Sequence, residues 1–413
     1  MKVFGSRWAP APGHLRELGG DAGLPGGFRA AGVTAGLKPS GDPDVGLLVC
    51  DGEQPVSAAV FTSSSAAAAP VLVTRERCRL HSLRAVLANS GCANAATGSR
   101  GLDDAAKTQG AAAAAAGVSE AEVALASTGA ISHYLPVDAV LQGTLEARSQ
   151  LRREGDVDFQ RAIQTTDRFE KRANLEVELP SGSVRLCAQC KGAGMISPAF
   201  ATMLCFVQTD AGLGAETAEL LLGTCVARSF DRVSVDGQLS TNDTAILMAS
   251  GASGVDVAPD SEDELRLGEA LDGLLRSLAV MLVADGEGAH RIARVRVRGG
   301  AQERAETVAR AVANSPLVKA ALHGGDPNWG RIVQAAGGAL PGPEPLAIDV
   351  WIEGRQVCAG GVALSYEEAE LAEAVSGPEV EYEIALPGEG AATEVFFSDL
   401  SADYVALNAH YTT

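Results

Sequence analysis

Apolar positions along this chain come in two textures. Up to about residue 250 they form short unbroken runs that read as strand candidates, the clearest of them a buried strand. Leu47-Leu48-Val49, Ala58-Ala59-Val60-Phe61, Val71-Leu72-Val73 and Leu83 to Leu87 are strand candidates, followed by Val123–Ala126, Met203–Val207 and Ala245–Met248. Leu175–Cys190 reads as a hairpin around Pro180-Ser181-Gly182. Helices are predicted over Asp103–Gly117, which stops at its glycine, over Leu135–Leu151, and from Glu216 to about Phe230. Ser261-Glu262-Asp263-Glu264 has the form of a capping box. It opens a long helix with Leu265, Leu271, Leu274, Leu275, Leu278 and Met281 on one face, ending at Asp285-Gly286-Glu287-Gly288. From Arg291 the pattern alternates, as in a half-exposed strand. A helix at Glu303–Ala313, a hairpin at 346–363, a helix at 366–375 and strands at 380–386 and 393–398 complete a smaller α+β unit. Residues 1–40 read as irregular and rich in Gly and Pro. The expected division is a core of 1–288 and a C-terminal domain of 289–413, with no long linker between them.

A chain of 413 residues can bury substantial cores. With 46% hydrophobic and 21% charged residues the composition is that of an ordinary soluble protein, and with only 4% aromatics the core must be Ala, Val and Leu. A net charge of -19 disfavours nucleic acid and anionic membranes as partners, and also serves solubility. The eight cysteines are scattered. The one CxxC, Cys187 to Cys190, has no second ligand pair for zinc and reads as inert thiols in a strand. No HxxxH or HxH pair occurs, so no metal site is expected. No secretory signal and no apolar run of about 18 residues is seen, so a cytoplasmic protein is expected.

Candidate chemistry gathers in Lys191–Ala211, KGAGMISPAFATMLCFVQTDA. Gly192 and Gly194 permit close approach, Pro198 breaks regular structure, and Thr202 opens the apolar run. A threonine becomes a good nucleophile when it is N-terminal, because its own amine serves as base; that requires a cut between Ala201 and Thr202. A plain loop entering a core strand explains the same residues. Upstream, Ser127-Thr128-Gly129-Ala130 supplies a hydroxyl and a glycine N–H, the parts of an oxyanion hole, although such turns are common. A carboxylate in the Asp285–Gly288 exit can bind an amine or an ion, or simply face solvent.

KGAGMISPAFATML, STNDTA, DGEG, NSPLVK, DPNWGRI and the terminal YVALNAHYTT occur in this order. Together they resemble the ornithine acetyltransferase family, also called glutamate N-acetyltransferase, from about Gly26 to Thr413. The resemblance implies a four-layer αββα core, of the type shared with aminopeptidases that use an N-terminal nucleophile, beside the smaller C-terminal α+β domain. It implies self-cleavage between Ala201 and Thr202 into chains 1–201 and 202–413, which stay together, as an α2β2 assembly. The implied reaction moves acetyl from N2-acetyl-L-ornithine to L-glutamate without a cofactor, with acetyl-CoA as a further donor in some members. Carried over by residue, Thr202 matches the nucleophile, and Thr128 and Gly129 match the oxyanion pair. Thr165, Lys191, Thr202, Glu287, Asn408 and Thr413 match substrate-binding positions. The chain departs from the family pattern at Ala130–His133, at Phe200, at Asp167–Lys171 and at Gln238-Leu239; none of these removes a catalytic group.

The residue types suit the reaction. An ester on Thr202 divides amide transfer into two easier steps, and an α-amine with a pKa of about 7.7–8.0 is a usable base near neutral pH. Lys191 can hold that amine neutral by like-charge repulsion or meet a substrate carboxylate; Glu287 suits a substrate ammonium. Two rivals stand beside this reading. An N-terminal-nucleophile aminopeptidase or amidase would pass the acyl group to water, and an uncut scaffold would have no activity.

Overall fold

The computed structural model describes residues 2–19, 22–197, 203–340, 342 and 345–410. Along the chain run β1 (Leu15–Glu17), β2 (Phe28–Val33), β3 (Val45–Cys50), β4 (Val56–Phe61), α1 (Ala69–Arg77), β5 (Ala85–Cys92), α2 (Gly98–Ala116), β6 (Val123–Ala130), α3 (Val137–Gln150) and α4 (Asp156–Ile163). Next come β7 (Lys171–Leu179), β8 (Gly182–Lys191), β9 (Leu204–Thr209), α5 (Ala215–Arg228), β10 (Val233–Ser234), β11 (Thr244–Ala249) and α6 (Glu262–Ala284). The last third holds β12 (Ile292–Arg298), α7 (Gln302–Ala313), α8 (Pro316–Gly324), α9 (Trp329–Ala339), β13 (Asp349–Ile352), β14 (Arg355–Ala359), β15 (Val362–Ala363), α10 (Glu368–Ala374), β16 (Glu379–Ala385), β17 (Ala392–Ser398) and α11 (Ala402–His410).

Among the described residues these strands form three sheets, ordered β2-β3-β5-β6, β1-β7-β8-β9-β11-β4 and β10-β17-β12-β16-β13-β14-β15. The first two stack face to face, and the unbroken apolar runs explain why. In β9, Leu204 and Phe206 point into the core between the sheets, while Cys205 and Val207 point to the other side, against α5 and α6. In β3, Leu48 and Cys50 enter the inter-sheet core, and Val45, Leu47 and Val49 face α2 and α3. Each strand is thus apolar on both faces, and the layers run helix, sheet, sheet, helix. Fully burying one such side chain, Phe206 for example, stabilises the fold by about 1.5–3 kcal/mol. Strand β17 links this sandwich to the third sheet: Phe396 packs into the main core, and Phe397 into the core under α7 and α9.

Three expectations need correction. Val71-Leu72-Val73 lies in helix α1, not in a strand: Pro70 sits in its first turn, and Val71, Val73 and Thr74 are its buried face. Residues 1–40 are not wholly irregular, since β1 pairs with β7 and β2 with β3. Strand β2 escapes notice because it is small-residue rich; α4 lies so close that a Cβ on Gly32 would fall 1.9 Å from the Asp158 carbonyl oxygen. The capping box at Ser261 is half formed: Ser261 Oγ accepts from Glu264 N, but the Glu264 carboxylate turns to the N–H of Asp260. Helices α8, α9 and α11 lie in stretches where no helix is predicted. Ser315 and Asn328 cap the first two by accepting from Val318 N and Arg331 N. All eight cysteines are free thiols. No helix of the described residues is long and apolar enough to cross a membrane.

Candidate active site

Strands β6 and β8 lie in the two facing sheets, and their C-terminal ends meet at one cavity. Thr128 and Gly129 arrive on β6, Lys191 on β8, and Thr165 and Thr166 on the loop after α4. Glu287 arrives from the exit of α6, and Tyr404 and Asn408 on α11. Gly194, Met195, Asp236 and Gln238 complete a wall around about 130 Å³, room for a small metabolite rather than a drug-sized ligand. A wider cleft of about 590 Å³, between Leu37–Ser40 and His133–Pro136, meets the cavity at Thr165 and Thr166. A cleft of about 1070 Å³ lined by Asp51, His81 and Asp256 shares no residue with it.

Six residues singled out from the sequence therefore converge: Thr128, Gly129, Thr165, Lys191, Glu287 and Asn408. Ala201, Thr202 and Thr413 lie outside the described residues. The chain just after Thr202 is described: Met203 N donates to Asp243 Oδ1 at 3.0 Å, and Leu204 stands in register with Lys191.

Backbone packing fixes the cavity wall. Gly129 has φ +129, and a Cβ there would fall 2.4 Å from the carbonyl carbon of Gly91, so β5 and β6 touch backbone to backbone where their register shifts. Gly194 does the same for Glu287: a Cβ would lie 2.7 Å from its carboxylate. Glu287 N in turn donates to Ala193 O. The Glu287 carboxylate accepts from Thr166 Oγ1 and from Asn408 Nδ2, both at 2.9 Å.

Lys191 is fully enclosed, and its ammonium donates to Thr128 Oγ1 at 3.1 Å and Thr165 Oγ1 at 2.8 Å. Burial pushes it below its ordinary pKa; Asp167 opposes this and Lys171 reinforces it. Behind the cavity lies a buried ionic cluster. Lys171 donates to Asp167 at 2.7 Å and to Asp285 at 2.5 Å, with none of the three side chains exposed. Burial alone would raise the Asp167 carboxyl, but the charges of Lys171 and Lys191 hold it below the usual carboxylate range. Asp167 also accepts from Gly192 N at 2.9 Å, which pins the start of the glycine loop. The departure from the family pattern at Arg168-Phe169 is part of this cluster: Arg168 donates to Asp285, and the Phe169 ring lies 5.1 Å from the Lys171 ammonium.

Sequence reasoning missed Thr166, Asp236, Tyr404 and the Asp167–Lys171–Asp285 cluster. Asp236 accepts from Met195 N and Ile196 N; burial nevertheless raises its carboxyl. Burial pushes the Tyr404 phenol up to about 12, with Asp236 and Glu287 adding to the effect. The sequence carries little signal for α11: Tyr404 to Leu407 are consecutive apolar residues without helical spacing, and the helix buries none of them fully.

The described residues thus form a four-layer αββα sandwich of α+β class with a polar cavity at the ends of its paired inner strands. Residues 29–413 match the ArgJ family. The arginine biosynthesis bifunctional protein ArgJ of Rhodopirellula baltica is 44% identical over 398 residues, covering 94% of this chain and 96% of that one. Its namesake from Deinococcus radiodurans is 41% identical over 398 residues, covering 95% and 98%. Among solved structures, ArgJ from Bacillus halodurans is 32% identical with a TM-score of 0.47, covering 50% of this chain and 98% of that one. The chain belongs to the ArgJ family.

Proposed function

We propose that this enzyme transfers acetyl from N2-acetyl-L-ornithine to L-glutamate through an acetyl ester on Thr202. Family membership across residues 29–413 carries the reading, and the convergence of Thr128, Gly129, Lys191 and Glu287 on one cavity supports it. Self-cleavage after Ala201 frees the Thr202 amine. That amine takes the hydroxyl proton as Oγ attacks the acetyl carbonyl, then returns it to the departing ornithine nitrogen. The amine of glutamate attacks the ester, and Thr202 is regenerated. Thr128 and Gly129 hold the oxyanion of each tetrahedral intermediate. Lys191 contributes through Thr128: an ammonium can only donate, so Thr128 Oγ1 accepts from it and keeps its own proton for the oxyanion. Glu287 receives a substrate ammonium. The relatives' designation as bifunctional supports acetyl-CoA as a second donor. No cofactor is required, the two product chains assemble as α2β2, and the enzyme works in the cytoplasm.

The deciding experiment uses acetylornithine alone and then with glutamate. Mass spectrometry should find one acetyl group on the chain beginning at Thr202, and initial rates against both substrates should give parallel lines. Intersecting lines would point to a ternary complex, and acetate release without glutamate to a hydrolase. Thr128→Ala should lower kcat by about 10²–10³-fold; a change within about twofold would make Thr128 purely structural.

Gly194→Ala tests the Glu287 assignment without removing a polar group. The added methyl must displace the Glu287 carboxylate, the end of a flexible side chain, from its bonds to Thr166 and Asn408. The variant should fold and show weaker kcat/KM by about 1.5–3 kcal/mol, the range for a hydrogen bond to a charged group. Unchanged kinetics for both substrates would remove Glu287 from the substrate site.

A further inference from the structure

His290 stands two residues beyond the Asp285–Gly288 exit, and His323 lies in the last turn of helix α8. They are distant in sequence, yet their rings meet edge to face with centroids 5.3 Å apart. Both address one carboxylate oxygen. His323 Nδ1 lies 2.7 Å from Asp399 Oδ2, and His290 Nδ1 lies 3.9 Å from it. The second oxygen, Asp399 Oδ1, is occupied by the N–H groups of His290 and Arg291 at 2.9 and 3.2 Å. These bonds aim Oδ2 at the imidazoles. The Asp399 side chain is fully buried, whereas the His290 and His323 side chains are 52% and 41% exposed, so the cluster has a rigid floor and an open mouth. Asp403 Oδ2 lies 3.5 Å from His290 Nε2 at the rim. One ligand atom from each of His290, His323 and Asp399 falls within 4.8 Å of the others, the one such His/Cys/Asp/Glu grouping among the described residues.

We propose that His290, His323 and Asp399 bind a divalent transition-metal ion of the zinc class. Two imidazoles and a carboxylate suit zinc and its neighbours, whereas magnesium and calcium prefer all-oxygen sets. Ligand atoms about 2.0–2.1 Å from a tetrahedral zinc lie about 3.3 Å apart. The observed 2.7 and 3.9 Å bracket that spacing, so small rotations of exposed rings complete the site. Water fills the fourth position. The amide bonds to Asp399 Oδ1 orient the carboxylate ligand from behind. The ion ties together three segments: the strand entry after Glu287, the end of α8 and the turn between β17 and α11. Ser401 already links two of them, donating to Gly288 O and accepting from Tyr404 N. Spacing in the sequence pointed to no metal because the ligands come from three separate elements.

The test strips the purified full-length protein with EDTA and titrates it with zinc chloride against a chromophoric chelator. One zinc should bind per chain. His290→Ala and His323→Ala should each weaken binding by at least about tenfold, since even indirect ligand partners cost that much. Zinc should raise the thermal midpoint of the unaltered protein but not of the double variant. Both histidines are exposed enough for the variants to fold, which circular dichroism checks. Equal zinc titrations for the unaltered protein and the double variant would overturn the site. A midpoint raised equally by magnesium would overturn the metal class.

Discussion

Thr202→Ala should give one uncut chain on a denaturing gel and no measurable acetyl transfer. The unaltered protein should run as two pieces of nearly equal size, residues 1–201 and 202–413. In this reading one hydroxyl attacks twice: the preceding carbonyl during processing, and the acetyl carbonyl in each turnover. Removing a nucleophile that works with its base as a unit costs about 10⁶-fold in kcat. Thr202→Ser should keep both activities in part, because it retains the hydroxyl and the amine. A Thr202→Ala protein that is still cut would show that another group makes the cut, and an N-terminus other than Thr202 would move the nucleophile.

Lys171→Met carries the largest expected loss of stability. Asp167 and Asp285 are buried with Lys171 between them, and removing one partner of such a group costs about 3–5 kcal/mol, because the remaining charge has no water to solvate it. Asp167 keeps Lys191 nearby, and Asp285 keeps the half-exposed Arg168. The pH dependence of stability should change with it. In the unaltered protein Asp167 sits below its ordinary value of 3.8, so its contribution is present above that pH and is lost as pH falls toward the folded value. Burial already raises the Asp285 carboxyl in the unaltered protein, and Lys171 opposes this; in Lys171→Met it should rise further, so the deficit should shrink as the pH is lowered from 8 to 5. Urea midpoints at both pH values measure this. A deficit under about 1 kcal/mol at pH 8 would show that water reaches the cluster.

Much of the sandwich was legible because its inner strands are apolar on both faces and sit between polar loops; β9 and β11 are the plainest cases. The same signal misassigned Val71-Leu72-Val73, since a short β-branched run reads alike in a strand and on the buried face of a helix. Pro70 was the cue for the helix. Strand β2 is held by backbone pairing and close packing of small residues, which leaves little hydrophobic pattern. In the site, Thr128 and Gly129 could be read from their residue types as well as from motif resemblance, Thr165, Lys191, Glu287 and Asn408 were placed in it by the resemblance, and it was the fold that brought them together. The Asp167–Lys171–Asp285 cluster could not be read in advance, because Asp285 is more than a hundred residues from Lys171 and a lone Asp or Lys looks like a surface charge.

The order β1-β7-β8-β9-β11-β4 has a consequence for the life of the protein after a cut at Thr202. Strands β9 and β11 belong to the second piece, yet they lie between β8 and β4 of the first. Neither piece owns a complete central sheet, so the halves are interleaved rather than merely docked. The precursor can reach this arrangement as a single chain, with both pieces at high effective concentration. The mature enzyme, once unfolded, must find its partner by diffusion while each half exposes unpaired strand edges. Processing would therefore convert reversible folding into a one-way step. The mature protein's endurance would rest on slow unfolding, and its recovery from denaturant should depend on concentration where that of the uncut Thr202→Ala chain does not.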